Sequence, residues 1–299
     1  MSRTRLILNG KKAELPAVRN AVTDARTYEH DLEVRVSFEY GDIGRFVSEA
    51  HSEGVSRLIA GGGDGTVNEM VNALMKIDRS ERPEMGIVPL GTANDFATSC
   101  LIPSDPLSAL LLAINEKSRP VDIGQANDRY FINVASGGFG AEVTADTPIE
   151  LKNFLGGNAY ALTGILKALN FVPNQGKMVT EDRVIEGAAV VGAVCNGRQA
   201  GGGLVLAPDA RIDDGLLDIV IIKYFSALDI PQVLSEIQNP SPNGEFVKIF
   251  QTTWIDRYSG ERVAPINLDG EPYLSREIRF EAVPNAIDLI VPHTCPLFS

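Results

Sequence analysis

The sequence has little cysteine and little histidine. Its 3 cysteines, Cys100, Cys195 and Cys295, are odd in number, far apart and never in a CxxC pair. That excludes a disulfide-stapled scaffold and suits free thiols in a reducing compartment. The 3 histidines, His30, His51 and His293, share no ligand spacing, which excludes a histidine-built zinc site. Positive charge is also short, with 27 Lys and Arg against 39 Asp and Glu and a formal net charge of −12. A chain of that sign repels phosphate backbones over most of its surface. It therefore argues against a nucleic-acid partner and against standing electrostatic attachment to anionic membranes. No apolar run approaches the roughly 18–20 residues that span a bilayer. The start, MSRTRLILNG, lacks the long apolar centre of a signal peptide. The expectation is a cytoplasmic protein without a transmembrane segment; nothing in the pattern specifies an oligomeric state.

What is present is core-forming material. Hydrophobic residues make up 44% of 299 residues, and at roughly 150 residues per domain the length suits two domains. Residues 1–120 alternate short apolar runs with helical patterns, the form of repeated βα units around a parallel sheet. Strands are expected in RLILN, LEVRVSF, SRLIAGGG and EMGIVPL, and helices over about 14–29, 42–52, 66–77 and 105–114. From 121 to 299 strand-like stretches follow one another closely, which predicts an antiparallel β-sandwich. Its last residues are a candidate to return to the first domain. Helical insertions are expected around 149–170 and 226–238, the second opening with the capping pattern Ser226-x-x-Asp229. The stretch 153–171 carries apolar residues at 162, 165, 166 and 169, one helical face that suits core packing or lipid contact.

Both standard nucleotide fingerprints are missing. There is no GxxxxGK[ST], and Thr66 stands where a GxGxxG turn begun at Gly61 would need glycine. In their place is GGGDGTVNE, between an apolar strand and a helix. Consecutive glycines let backbone N–H groups approach a polyanion, and a helix N-terminus favours phosphate. Thr66 suits an N-cap or a phosphate ligand, and Asp64 a phosphate-bound Mg²⁺. A tight strand-to-helix turn would use the same glycines. A side chain at Gly63 would stand where a phosphate should lie. Two strands on, PLGTANDFA ends another strand with Thr92, Asn94 and Asp95 as hydroxyl, amide and carboxylate, or as a helix cap. In an open parallel sheet both loops fall at the carboxyl ends of strands, where ligands collect. Later, Asp269 and Glu271 in NLDGE lie two apart. On extended backbone both carboxylates would face one side, whereas a DG hairpin would leave them solvated.

GGGDGTVNE followed by GTANDFA resembles the diacylglycerol-kinase-like lipid kinases. With VDIG (121–124), NGRQAGGG (196–203), PDARIDDGLLD (208–218) and NLDGEP (267–272), essentially the whole chain resembles the bacterial YegS-type branch of that family. The resemblance implies a phosphofructokinase-like α/β nucleotide domain followed by a β-sandwich. It implies ATP as phosphate donor, with contacts from Gly63, Asp64, Gly65, Thr66, Val67, Asn68 and Glu69, from Thr92, and from Ser37 at the end of the second strand. Asp64, Asp95 and Asp122 would organise water and Mg²⁺ near the phosphates. Glu271 would be the proton acceptor, with Asp269 as its supporting carboxylate. Arg211 and Leu216, through their carbonyls, and Asp214, through its side chain, would hold a second Mg²⁺, with Ca²⁺ as substitute; an Asp-Asp-Gly turn would look the same in sequence. The implied activity is ATP-dependent phosphorylation of a glycerolipid hydroxyl, with phosphatidylglycerol or diacylglycerol approached peripherally. An NAD kinase also uses a GGDGT loop, and a nucleotide- or lipid-sensing module would lack a catalytic carboxylate. ANDFA and LDGEP favour the lipid branch.

Overall fold

The computed structural model describes residues 3–28, 32–138, 174–238, 241–260, 263 and 266–299. The apolar stripe expected over 153–171, and the insertion around 149–170, lie outside the described residues. Four parallel strands open the chain: β1 (Thr4–Asn9), β2 (Leu32–Ser37), β3 (Arg57–Gly62) and β4 (Glu84–Pro89), in spatial order β2-β1-β3-β4. Their connections are α1 (Gly10–Ala13) and α2 (Pro16–Tyr28), α3 (Asp42–Ser52) and α4 (Asp64–Leu74), with α5 (Asp95–Ser99) and α6 (Pro106–Asn115) following β4. Near-continuous burial along β1, β3 and β4 marks strands covered on both faces, as a parallel sheet requires.

The second half is antiparallel: β5 (Ser118–Ala126), β6 (Arg129–Phe131), β7 (Val134–Gly138), β8 (Asn174–Val179), β9 (Val184–Cys195), β10 (Gln199–Ala200), β11 (Leu204–Val205), β12 (Leu217–Lys223), β13 (Val247–Thr252), β14 (Trp254–Ser259), β15 (Ile266–Leu268), β16 (Glu271–Tyr273) and β17 (Glu277–Ile290). Among the described residues this half holds one α-helix, α7 (Ile230–Gln238), entered through the expected capping box, in which Ser226 N–H and Oγ both donate to Asp229 Oδ2 at 2.8 Å. Its second core packs Phe131 against Phe280 edge-on at 6.2 Å.

Two strand expectations change. YFINVAS is two strands, because Ile132 and Asn133 turn their N–H groups to the Asp269 carboxylate rather than to a ladder. EIRFEAV and AIDLIV are instead one long strand, β17, irregular only around Pro284-Asn285-Ala286. β17 pairs with β14 in the sandwich and reaches β4 of the parallel sheet at Leu289↔Met85. One hydrogen-bonded path thus runs from β16 to β2, with β5, β6, β12 and β13 branching from it and β10 and β11 paired separately. Beyond β17, Cys295 and Leu297 join the apolar core of the first half.

Candidate active site

The glycine run after β3 is required by crowding rather than by backbone angles. A Cβ on Gly62 would stand 2.2 Å from Thr66 Oγ1, and one on Gly61 2.5 Å from Leu8 Cδ2. At Gly63, φ is an ordinary −95°, yet a Cβ there would lie 3.0 Å from Gly91 Cα. The two polar loops therefore abut glycine to glycine. A side chain at Gly63 would therefore also press the loops apart, besides standing where a phosphate is expected.

Helix α4 starts with Gly63 as N-cap, so Thr66 is not the cap. It is buried in the first turn, packed on Gly62. Val67 donates its N–H to Gly63 O at 3.1 Å and buries its side chain in the core. The N–H groups left over at the helix start belong to Asp64, Gly65 and Thr66, the set a phosphate would meet. Asn68 faces elsewhere. Its Nδ2 donates to Asp269 Oδ2 and to Tyr130 O, both at 3.0 Å, joining the two halves of the molecule.

In the GTAND loop Asn94 adopts left-handed backbone (φ 51°) and folds its amide back on Gly91, accepting from its N–H at 2.9 Å and donating to its carbonyl at 3.0 Å. Asn94 N–H in turn donates to Asp64 Oδ2 at 3.0 Å. The Asp95 carboxylate accepts from Gly202 N–H at 2.9 Å and Gly203 N–H at 2.7 Å. Both Asn94 and Asp95 thus also shape the loops that carry them. The partner glycines have φ of +86° and +103°, a region that favours glycine and explains the run in NGRQAGGG. Thr92 remains exposed on the loop.

The LDGE segment overturns the same-face expectation. Asp269 and Gly270 both have positive φ, 51° and 103°, and form a two-residue hairpin turn between β15 and β16. Asp269 turns inward. Its oxygens accept from Asn68 Nδ2 (3.0 Å) and from the N–H groups of Ile132 (2.7 Å), Asn133 (3.0 Å) and Val134 (2.9 Å). Glu271, by contrast, is exposed, and its Oε1 lies 3.2 Å from where a Cβ on Gly65 would be. Asp269 is therefore the anchor of the turn that aims Glu271 across the helix start, and has no oxygen free for proton transfer.

The electrostatics are those of unneutralised acid. Burial, then Asp95 and Asp269, push the Asp64 carboxyl up to about 6. Glu69 is raised by burial and by Glu271 and Asp42. Asp42 opens α3, and its Oδ2 accepts from Phe38 N–H at 2.8 Å. Ser37, buried at the end of that strand, hydrogen-bonds Leu8 O at 3.4 Å. Phe38 and Tyr40 beside it are exposed aromatics that no motif marked. Among the described residues, no three His, Cys, Asp or Glu side chains converge tightly enough to hold an ion alone. A cation here would need phosphate oxygens as further ligands, which is how Mg²⁺ is usually held beside nucleotides.

Asp122 is fully buried. Its oxygens accept from Gly215 N–H at 2.6 Å and Asn285 N–H at 2.7 Å, tying the 211–216 turn to β17. In that turn Asp214 Oδ1 accepts from Leu216 N–H at 3.0 Å, and Gly215 has φ +73°. Asp214 is raised by burial and by Asp122 and Asp213, and burial with Asp214 and Asp209 lifts Asp218 to about 6. Arg211 is exposed at the start of the same turn.

The diacylglycerol kinase catalytic domain model matches residues 3–126, and the YegS C-terminal NAD kinase beta sandwich-like domain model matches residues 133–291. The chain is 50% identical over 297 residues to the "Probable lipid kinase YegS-like" of Shewanella frigidimarina (strain NCIMB 400), across 99% of this chain and 96% of that one. A protein of the same name from Chromohalobacter salexigens is 47% identical, across 99% and 95%. Among solved structures, a "putative diacylglycerol kinase" from Bacillus anthracis str. Sterne matches with a TM-score of 0.81 at 27% identity, over 98% of this chain and 97% of that one.

Proposed function

Since the chain belongs to the diacylglycerol kinase family, in its YegS-like branch, we propose that it transfers the γ-phosphate of ATP to a hydroxyl of a glycerolipid such as phosphatidylglycerol or diacylglycerol. The observation that carries this reading is the approach of Glu271 to Gly65, which sets an exposed carboxylate against the N–H-rich start of α4. The backbone of Asp64, Gly65 and Thr66 holds the phosphates, Thr92 and Ser37 line the same end of the sheet, and Phe38 and Tyr40 offer aromatic faces to the base. Asp64 faces Mg²⁺, which when bound neutralises charge on the transferring phosphoryl group. Glu271 accepts the alcohol proton, a step in which positioning matters as much as basicity because the transition state is loose. The raised Asp64 fits this assignment, because a bound cation would offset the burial and the neighbouring acids that disfavour its ionised form.

The turn at 211–216 takes a second Mg²⁺, or Ca²⁺ in its place, through the Asp214 carboxylate and the carbonyls of Arg211 and Leu216. The raised carboxyl of Asp214, which keeps coordinating capacity beyond its one turn hydrogen bond, supports this reading. No helix among the described residues is long and apolar enough to cross a membrane, and the lipid is met at the bilayer surface from the cytoplasmic side. The test is incubation with radiolabelled ATP and Mg²⁺ against diacylglycerol, phosphatidylglycerol and, without detergent, NAD. Label in a lipid is the expected result. Label in NAD alone would assign the chain to NAD phosphorylation, and label in none would leave a sensing module.

A further inference from the structure

One side chain links the phosphate-binding helix start to the turn that carries Glu271. Asn68 follows Gly65 on α4, about one turn deeper into the helix. Its Nδ2 donates to Asp269 Oδ2 at 3.0 Å, and Asp269 and Gly270 lead directly into Glu271. The second hydrogen of the same amide goes to Tyr130 O, also at 3.0 Å. Both donors are thus spent inside the protein, and the residue is buried.

The aim of this amide is fixed from the next turn of α4. Asn72 Nδ2 donates to Asn68 Oδ1 at 3.1 Å and to Tyr130 O at 2.9 Å, while Asn72 Oδ1 accepts from Tyr130 N–H at 3.0 Å. An ionised carboxylate only accepts, so Nδ2 is the side of Asn68 that must face Asp269. The rest of the Asp269 carboxylate is filled by the N–H groups of Ile132, Asn133 and Val134, which belong to the same half of the molecule as the turn itself. Among the four donors Asn68 alone reaches the turn from the helix. Glu271 is exposed, so its place over Gly65 comes from the backbone of its turn rather than from packing.

We propose that Asn68 is a positioning residue of the transfer step: through Asp269 it sets Glu271 against the phosphates held at the start of α4. This rests on the reading of Glu271 as the base, and it names the side chain through which the nucleotide half governs that base. A misplacement of about 1 Å costs on the order of 100-fold in rate, so a single lost hydrogen bond at this point is felt in turnover.

The test is steady-state kinetics of the full chain with ATP, Mg²⁺ and dispersed dioleoylglycerol or dioleoyl phosphatidylglycerol, beside calorimetric ATP titration of the same preparations. Asn68→Ala should lower kcat about 10–100-fold while the ATP dissociation constant stays within a factor of about two. Asn68→Ser keeps a hydroxyl donor near Asp269; it should recover part of the loss, and it carries the test if the alanine variant does not fold. Arg79→Met removes a different tie between the halves, the pair of Arg79 with Asp288 at 2.7 Å. It should leave kcat within about threefold of wild type, as a merely structural contact would. Adding Asn68→Ala to Glu271→Gln should cost little further, since the two act as one unit.

Wild type that labels neither lipid, or a fully active Glu271→Gln, would remove the reading of Glu271 as base and this proposal with it. With that reading intact, an unchanged kcat in the folded Asn68 variants, an equal loss in Arg79→Met, a loss of ATP affinity in place of kcat, or losses that multiply in the double variant would each overturn the positioning role alone.

Discussion

Two Asp-Gly turns, Asp269-Gly270 and Asp214-Gly215, share a dipeptide and the positive φ of their glycine, 103° and 73°, yet their aspartates meet different surroundings. Asp269 turns inward and is gripped by four donors from α4 and the β6–β7 link. Asp214 receives one N–H from its own turn and a long contact of 3.3 Å from Gln251. The first carboxylate is consumed in holding structure, and its exposed neighbour Glu271 is what it positions. The second keeps coordinating capacity. The role of an acidic turn is thus set by the donors that distant strands bring to it, not by the turn itself.

Exchanging groups between these roles should break the contrast in graded steps. Glu271→Gln keeps size and hydrogen bonding but cannot accept a proton, so kcat should fall about 10²–10⁴-fold with ATP affinity unchanged. Asp269→Ala belongs beside it, because it strips partners from three buried backbone N–H groups. It should cost about 3 kcal/mol or more in urea unfolding, where a solvated hairpin aspartate would cost under about 0.5 kcal/mol. Turnover of Glu271→Gln within a factor of about three of wild type, far below a usual general-base contribution, would remove Glu271 as base. Asp269, having no free oxygen, could not replace it.

A milder effect follows from Asp64. With its carboxyl at about 6, above the unfolded value, it contributes stability at low pH that is lost as pH rises through about 6. Binding of Mg²⁺-ATP needs the ionised form, so affinity should fall as pH drops below about 6, with proton uptake in the free protein. Calorimetric titrations at pH 5.5 and 7.5 should differ in wild type and agree in Asp64→Asn; a pH-indifferent wild type would refute the linkage. The smallest effect is expected for Asp214→Ala. ATP affinity and fold should persist, while the thermal shift caused by Mg²⁺ or Ca²⁺ without nucleotide should disappear.

Much of the first half was legible because apolar runs and helical spacing are local. Asp42–Ser52 and the strands at 4–9, 32–37 and 57–62 follow their patterns closely. What sequence could not show was where polar side chains spend their hydrogen bonds. Asn94 folds back on Gly91 within its own loop, whereas the Asp95 partners at 202 and 203 are chosen by tertiary contact. Asn68 similarly serves Tyr130 and Asp269 across the molecule. The glycines at 201–203 carried a readable signal, since such a run suits positive φ.

The long strand β17 also has a bearing on how the protein is made. The parallel sheet begun by residues 4–89 is extended at β4 by Leu289, and its core is closed by Cys295 and Leu297. During synthesis the early half therefore emerges with one sheet edge unpaired and part of its apolar interior open. It waits for roughly 200 further residues, some ten to forty seconds at ordinary translation rates. Contacts of such wide sequence separation slow folding and expose edges to mispairing. The nascent first half should thus present an edge and apolar surface that chaperones recognise until β17 pairs with β4.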